Sequence, residues 1–144
     1  MARLGNGILA GLAATIVLSI FMMMKQMMGM MPQMDVIAML TKMSGASTPL
    51  MGWVMHFMIG SIVWGGLFAL LHDSIPGGST IMRGIVFGIG AWLMMMVVVM
   101  PMAGAGLFGM NFGMAAPVMT LMLHIIFGAT LGVVYGWRAA PKTA

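Results

Sequence analysis

From Gly84 to Trp137 the chain carries no formally charged residue, a run of 54 positions. Such a run cannot line a water-facing surface, and it is too long for one buried helix. Roughly 20 apolar residues cross about 30 Å of hydrocarbon, so the run holds two membrane spans and an apolar turn. The rest of the chain agrees. Charged types make up 6% of the 144 residues and hydrophobic types 62%, where a soluble domain carries about 25% charged. A soluble globule is excluded. With no Cys, so is a disulfide-stapled secreted module.

The expected fold is all-α and integral to the membrane, a single domain over 1–144. Four transmembrane helices form two repeated hairpins, and a short amphipathic interfacial helix lies between the first two spans. The spans fall at about 4–24, 50–71, 80–100 and 117–137. The first lies between Arg3 and Lys25 and reads as an uncleaved signal anchor. The second follows Pro49, a residue suited to a first helical turn. The third stops at Met100 because Pro101 follows, and the fourth starts at Pro117 and ends before Arg138. Residues 32–43 read as a helix lying flat on the bilayer. Pro32 begins it, and Val36, Met39, Leu40 and Met43 form its apolar stripe. Asp35 and Lys42 fall off that stripe. Residues 102–116 are Gly-rich and apolar, an interfacial or re-entrant piece, and 72–83 form a turn at Pro76-Gly77-Gly78.

Arg3, Arg83, Arg138 and Lys142 share one side of such a bundle, and Lys25 and Lys42 the other. Cytoplasmic loops carry the excess of Lys and Arg, so both termini are expected in the cytoplasm. The net charge of +4 sits at membrane boundaries and suits anionic lipid rather than nucleic acid.

The two hairpins read as copies of one unit, over about 1–72 and 79–140. Pro49, Met51, His56 and Gly60 recur as Pro117, Met119, His124 and Gly128 at an offset of 68. Gly7, Ile8, Gly11 and Ala14 match Gly84, Ile85, Gly88 and Ala91 at an offset of 77. Two spans per copy imply a pseudo-two-fold axis along the membrane normal.

Lipid is as apolar as Leu, so close backbone approach through small residues must hold the helices together. Each span carries such a stripe at i+4 spacing: Gly7, Gly11, Thr15 and Ser19; Gly52, His56 and Gly60; Gly84 and Gly88; Thr120, His124, Gly128, Gly132 and Gly136. These stripes are the expected bundle interior. His56 and His124 lie on them, each seven residues from its Pro, or about 10 Å below one membrane face.

The chain has 24 methionines. Met24, Met27, Met28, Met31 and Met34 form three Met-x-x-Met pairs, and Met94 and Met95 fall near the depth of the two histidines. Thioethers and imidazoles suit Cu(I), which makes a copper-handling site one reading. Methionine as flexible apolar filler is the other. Facing histidines with Gly60 and Gly128 beside them would also admit a haem or related tetrapyrrole, with Lys25 and Lys42 near its propionates. A third reading of the histidines is a ring proton donated across a helix contact. His72 beside Asp73 reads as a cap or interface residue.

Enzyme signatures are missing from the sequence: no nucleophile elbow, zinc-protease helix or phosphate loop. Its two acidic residues, Asp35 and Asp73, fall outside the spans. A non-enzymatic protein is expected, with no required cofactor.

The stretches RLGNGILAGLAATIVLSI, PQMDVIAML, GWVMHFMIGSIVWGGLFALL and the run from Arg83 to Gly136 resemble a family of small bacterial inner-membrane proteins catalogued as a domain of unknown function. A more distant likeness is to YagU-type inner-membrane proteins. The resemblance implies a four-helix protein of the bacterial inner membrane and brings no assigned activity or site residue. The leading functional expectation is therefore an accessory or packing subunit of a larger membrane complex, or a homo-oligomer. A Cu(I)-binding or copper-delivery protein is the alternative, and a histidine-ligated tetrapyrrole protein the third.

Overall fold

The computed structural model describes residues 2–140, so Lys142 lies outside the described residues. The chain order is α1 (Ala2–Met27), the short α2 (Val36–Met43), α3 (Pro49–Leu71), α4 (Thr80–Met102) and α5 (Ala115–Ala139). All but α2 are long and apolar enough to cross a membrane. At 1.5 Å per residue each spans about 35 Å or more. No strand occurs among the described residues, and the fold is all-α.

Three boundaries differ from the sequence reading, each for a local reason. α2 begins at Val36 and not at Pro32, because the Asp35 carboxylate accepts the Ala38 N–H at 3.0 Å and caps it there. Its buried residues are Ile37 and Leu40, while Met43 is exposed, so the face is turned from the expected stripe toward α3. α4 runs on through Pro101 to Met102. Its residues Met95–Val99 are π-helical, and the Met100 N–H reaches back five residues to the Met95 carbonyl. A widened turn relieves the clash between a proline ring and the carbonyl four residues back. α5 starts at Ala115, with Pro117 still inside the first turn, where no N–H partner is lost. Residues 107–112 form a 3₁₀ turn. Gly104, Gly106, Gly109 and Gly113 have positive φ there, which explains the Gly-rich composition of this segment.

Glycines set how the spans meet. A Cβ on Gly7 would strike the Gly65 carbonyl and Ala69, and one on Gly11 the Gly60 carbonyl. This joins α1 to α3. A Cβ on Gly84 would strike the Gly128 carbonyl, one on Gly88 the His124 carbonyl, and one on Gly132 the Thr80 carbonyl. This joins α4 to α5, and Gly136 lies against Thr80 beyond them. Gly52 serves another contact: it opposes Ile37 and Thr41 and seats α2 on α3. The two hairpins differ in register by about one turn. Gly7 opposes Gly65, whereas Gly84, at offset 77, opposes Gly128, the counterpart of Gly60.

α1 also packs along α5, so the order around the bundle is α3, α1, α5, α4. The seam between α3 and α4 is closed at one end by aromatic rings. Phe87 meets Trp64 at 5.7 Å and Phe68 at 5.3 Å between centroids. That end holds one core, including Ala10, Ala14, Phe68, Phe127, Leu131 and Tyr135. The other end holds a second core of Met34, Met96, Met100, Ala105 and Ala116.

Charge separates onto the two ends. Arg3 donates to Asp73 at 2.6 Å, and Asp73 meets the His72 ring at 2.9 Å. Arg83 donates to the His72 carbonyl at 3.2 Å, and Arg138 to Asn6 at 3.3 Å. Lys25, Asp35 and Lys42 belong to the opposite end. The His72 ring and then the Arg3 guanidinium hold the Asp73 carboxyl below the usual carboxylate range.

Two outcomes follow for stability in detergent. Gly84→Leu or Gly128→Leu should cost about 1–3 kcal/mol or more, since the added side chain meets a backbone that cannot give way. A Cβ on Gly90 meets nothing within 4 Å, so Gly90→Leu should be neutral or stabilising in the same thermal melts. The Asp73 contribution is present above its unfolded pKa and lost as pH falls through the depressed folded value. Acid should therefore lower the melting temperature of the parent protein more than that of Asp73→Asn.

Candidate functional site

Toward the Lys25 end the bundle encloses a cavity of about 220 Å³ lined by all four spans and by the chain before and within α2. On α1 its lining runs from Lys25 and Gln26 to Thr15, about 15 Å along the axis at 1.5 Å per residue. Its inner end is apolar, with Trp64, Ala91 and Phe127. Met94 and Val98 of α4 line it although they are 53% and 45% exposed. The cavity therefore reaches the lipid-facing surface at the seam between α3 and α4.

Both π-helical segments border that seam. Ile59, Gly60 and Trp64 come from one, and Met95, Val98 and Val99 from the other. π turns collect at functional sites because they re-aim side chains and free backbone groups. Nothing in a 3.6-residue periodicity signals them.

The polar groups fall into two sets. At the outer end Lys25 donates to the Met34 carbonyl at 2.7 Å and the Met31 carbonyl at 3.2 Å. The Gln26 amide donates to Asp35 at 3.1 Å. Burial works against the Asp35 carboxylate, but the Ala38 N–H and Gln26 outweigh it and hold its pKa below the usual range. At mid-depth lie the histidines. His56 is 9% exposed, and its Nε2 is buried with no hydrogen-bond partner among the described residues. His124 Nδ1 lies 2.8 Å from the Thr120 carbonyl of its own helix. The Thr15 and Thr120 hydroxyls are already engaged, donating to Gly11 at 2.7 Å and to Ala116 at 2.8 Å. Trp92 Nε1 adds a bond to the Thr120 hydroxyl at 3.0 Å.

Five of the sequence candidates meet at this cavity: His56, His124, Met34, Met94 and Met95. The other methionines do not join them there. Met24, Met27 and Met28 are exposed on the outer surface, and Met31 packs against the methionine core. Met22, Met39 and Met119 also line the cavity and were missed. Met22 was legible on α1, since Thr15, Leu18, Met22 and Lys25 share a helical face. Space for a flat macrocycle beside the two glycines is taken. Thr15 fills the position beside Gly60, and the Gly84 backbone that beside Gly128. Among the described residues no three His, Cys, Asp or Glu converge as metal ligands. A metal held here would need thioethers in its shell.

Four apolar helices around a membrane-depth cavity define a multi-pass, all-α membrane protein. The chain belongs to the family of unknown function DUF6789, whose model matches residues 1–144. No characterised protein and no solved structure matches it significantly.

The chain has no native cysteine, so accessibility can be read one position at a time. Leu123→Cys, on the cavity wall, should react with a small methanethiosulfonate reagent in detergent. Leu131→Cys, at 0% exposure in the packed core, should not react without denaturation.

Proposed function

We propose that this protein is a non-enzymatic membrane protein that binds a small lipid-phase molecule in the cavity between its four spans. One observation carries the reading: an apolar cavity that all four helices line, that reaches the lipid-facing seam, and that has at its wall the His124 ring, whose Nε2 makes no hydrogen bond among the described residues. Ligand sites are typically concave, mostly apolar, and supplied with a few polar groups that fix orientation. An unsatisfied polar atom in such a place costs free energy unless a ligand meets it. The charge distribution favours both termini in the cytoplasm, which puts the Lys25 end outside, and the resemblance to small inner-membrane proteins favours a bacterial inner membrane. Recurrence of the Pro-Met-His-Gly spacing supports descent from a duplicated hairpin.

Cu(I) binding is the second reading, favoured by six methionines and two histidines around one cavity. An accessory or self-associating role is the third. Gly5 and Gly90 are exposed with nothing within 4 Å, leaving flat places where another helix would fit.

Purification in mild detergent followed by organic extraction, mass spectrometry and metal analysis separates the three. The expected result is a stoichiometric small molecule that is depleted in Leu123→Trp, which fills the cavity. Stoichiometric copper lost in His56→Ala and His124→Ala would favour the second reading. A protein partner with an empty cavity would favour the third.

A further inference from the structure

The cavity reading leaves open which chemical group a ligand must present, and the hydrogen bonding of His124 limits the choice. A carbonyl oxygen only accepts, so the 2.8 Å contact between Nδ1 and the Thr120 carbonyl places the ring proton on Nδ1. In the neutral imidazole Nε2 is then a lone pair. That atom makes no hydrogen bond among the described residues, and the residue lines the cavity. The Thr15 and Thr120 hydroxyls offer a ligand no donor, because each already donates to a carbonyl of its own helix. The His124 anchor is thus an acceptor. A ligand whose polar group is itself only an acceptor, such as a ketone, quinone, ester or ether, leaves that lone pair unmet.

The rest of the cavity fixes the body of the ligand. Trp64, Ala91 and Phe127 make the inner end apolar, and Met94, Met95 and Met119 form flexible walls. Thioether side chains adapt to irregular apolar shapes. Access at the α3–α4 seam is from the side, where Met94 and Val98 are exposed, so the ligand approaches out of the bilayer. Resting on the cavity reading above, we infer that the ligand is a lipid-phase phenol or alcohol: an apolar chain or ring carrying a hydroxyl that donates to His124 Nε2. A hydroquinone fits this description and its oxidised quinone does not. The ligand is bound, with no bond made or broken.

The test uses the full-length protein in detergent and a matched pair of probes, 4-nonylphenol and 4-nonylanisole, which differ by the donor hydrogen. Binding is read as the rise in melting temperature by circular dichroism, at equal mole fraction of probe in the micelle. The phenol should bind the parent protein about tenfold more tightly than the ether, the worth of one hydrogen bond. In His124→Leu the two probes should bind alike. Equal binding of both probes to the parent protein would overturn the hydroxyl assignment and leave the cavity reading standing. Failure of both would overturn the cavity reading as well. Stabilisation by Cu(I) but by neither probe would replace the organic ligand with the metal. The parent comparison needs no variant, so it stands if His124→Leu does not fold.

Discussion

Two backbones meet without side chains between them where Gly84 faces Gly128, and again where Gly7 faces Gly65. In lipid the hydrophobic effect gives helices no reason to associate, so van der Waals contact at this range has to do it. The rest of the bundle depends on these approaches. They draw α1 against α3 and α4 against α5, and the α1–α5 contact joins the pairs. α3 and α4 lack such a glycine interface with each other. Aromatic rings close their seam at the Arg3 end, and at the Lys25 end the seam becomes the cavity.

The same arrangement explains why polar residues are tolerated at membrane depth. Thr15, Ser19, Ser61 and Thr130 each donate to the carbonyl four residues back on their own helix. A hydroxyl satisfied in this way costs little in hydrocarbon. His124 uses the same device through Nδ1. His56 does not, and its buried Nε2 is left unpaired.

Much of the fold was legible because membrane physics leaves few choices. An uncharged run must cross or lie in the bilayer, and Gly at i+4 spacing must pack. Pro49 and Pro117 marked helix starts to within two residues because proline lacks the N–H that a first turn does not need. The amphipathic helix was legible, with Leu40 buried and Val36 and Met39 facing the cavity as the stripe implied, but it starts at Val36 because the Asp35 cap outweighs Pro32 as a start signal, and Met43 faces outward. The cavity was legible only in part. His56 and His124 stood out as polar residues on small-residue stripes. Methionines did not sort themselves, because Met27 on the surface and Met96 in the core have the same hydropathy. The π segments were invisible, because one inserted residue turns every later side chain by about 100° without changing the composition.

The central claim is that glycine-driven packing leaves a seam that holds a molecule from the bilayer. An experimental density map of the protein, purified from its native membrane in mild detergent, tests it most directly. The expected map shows elongated non-protein density between α3 and α4, running inward from the Lys25 end and touching His124. A map with α3 and α4 packed together along their whole length, and side chains collapsed into the space beside His124, would contradict it.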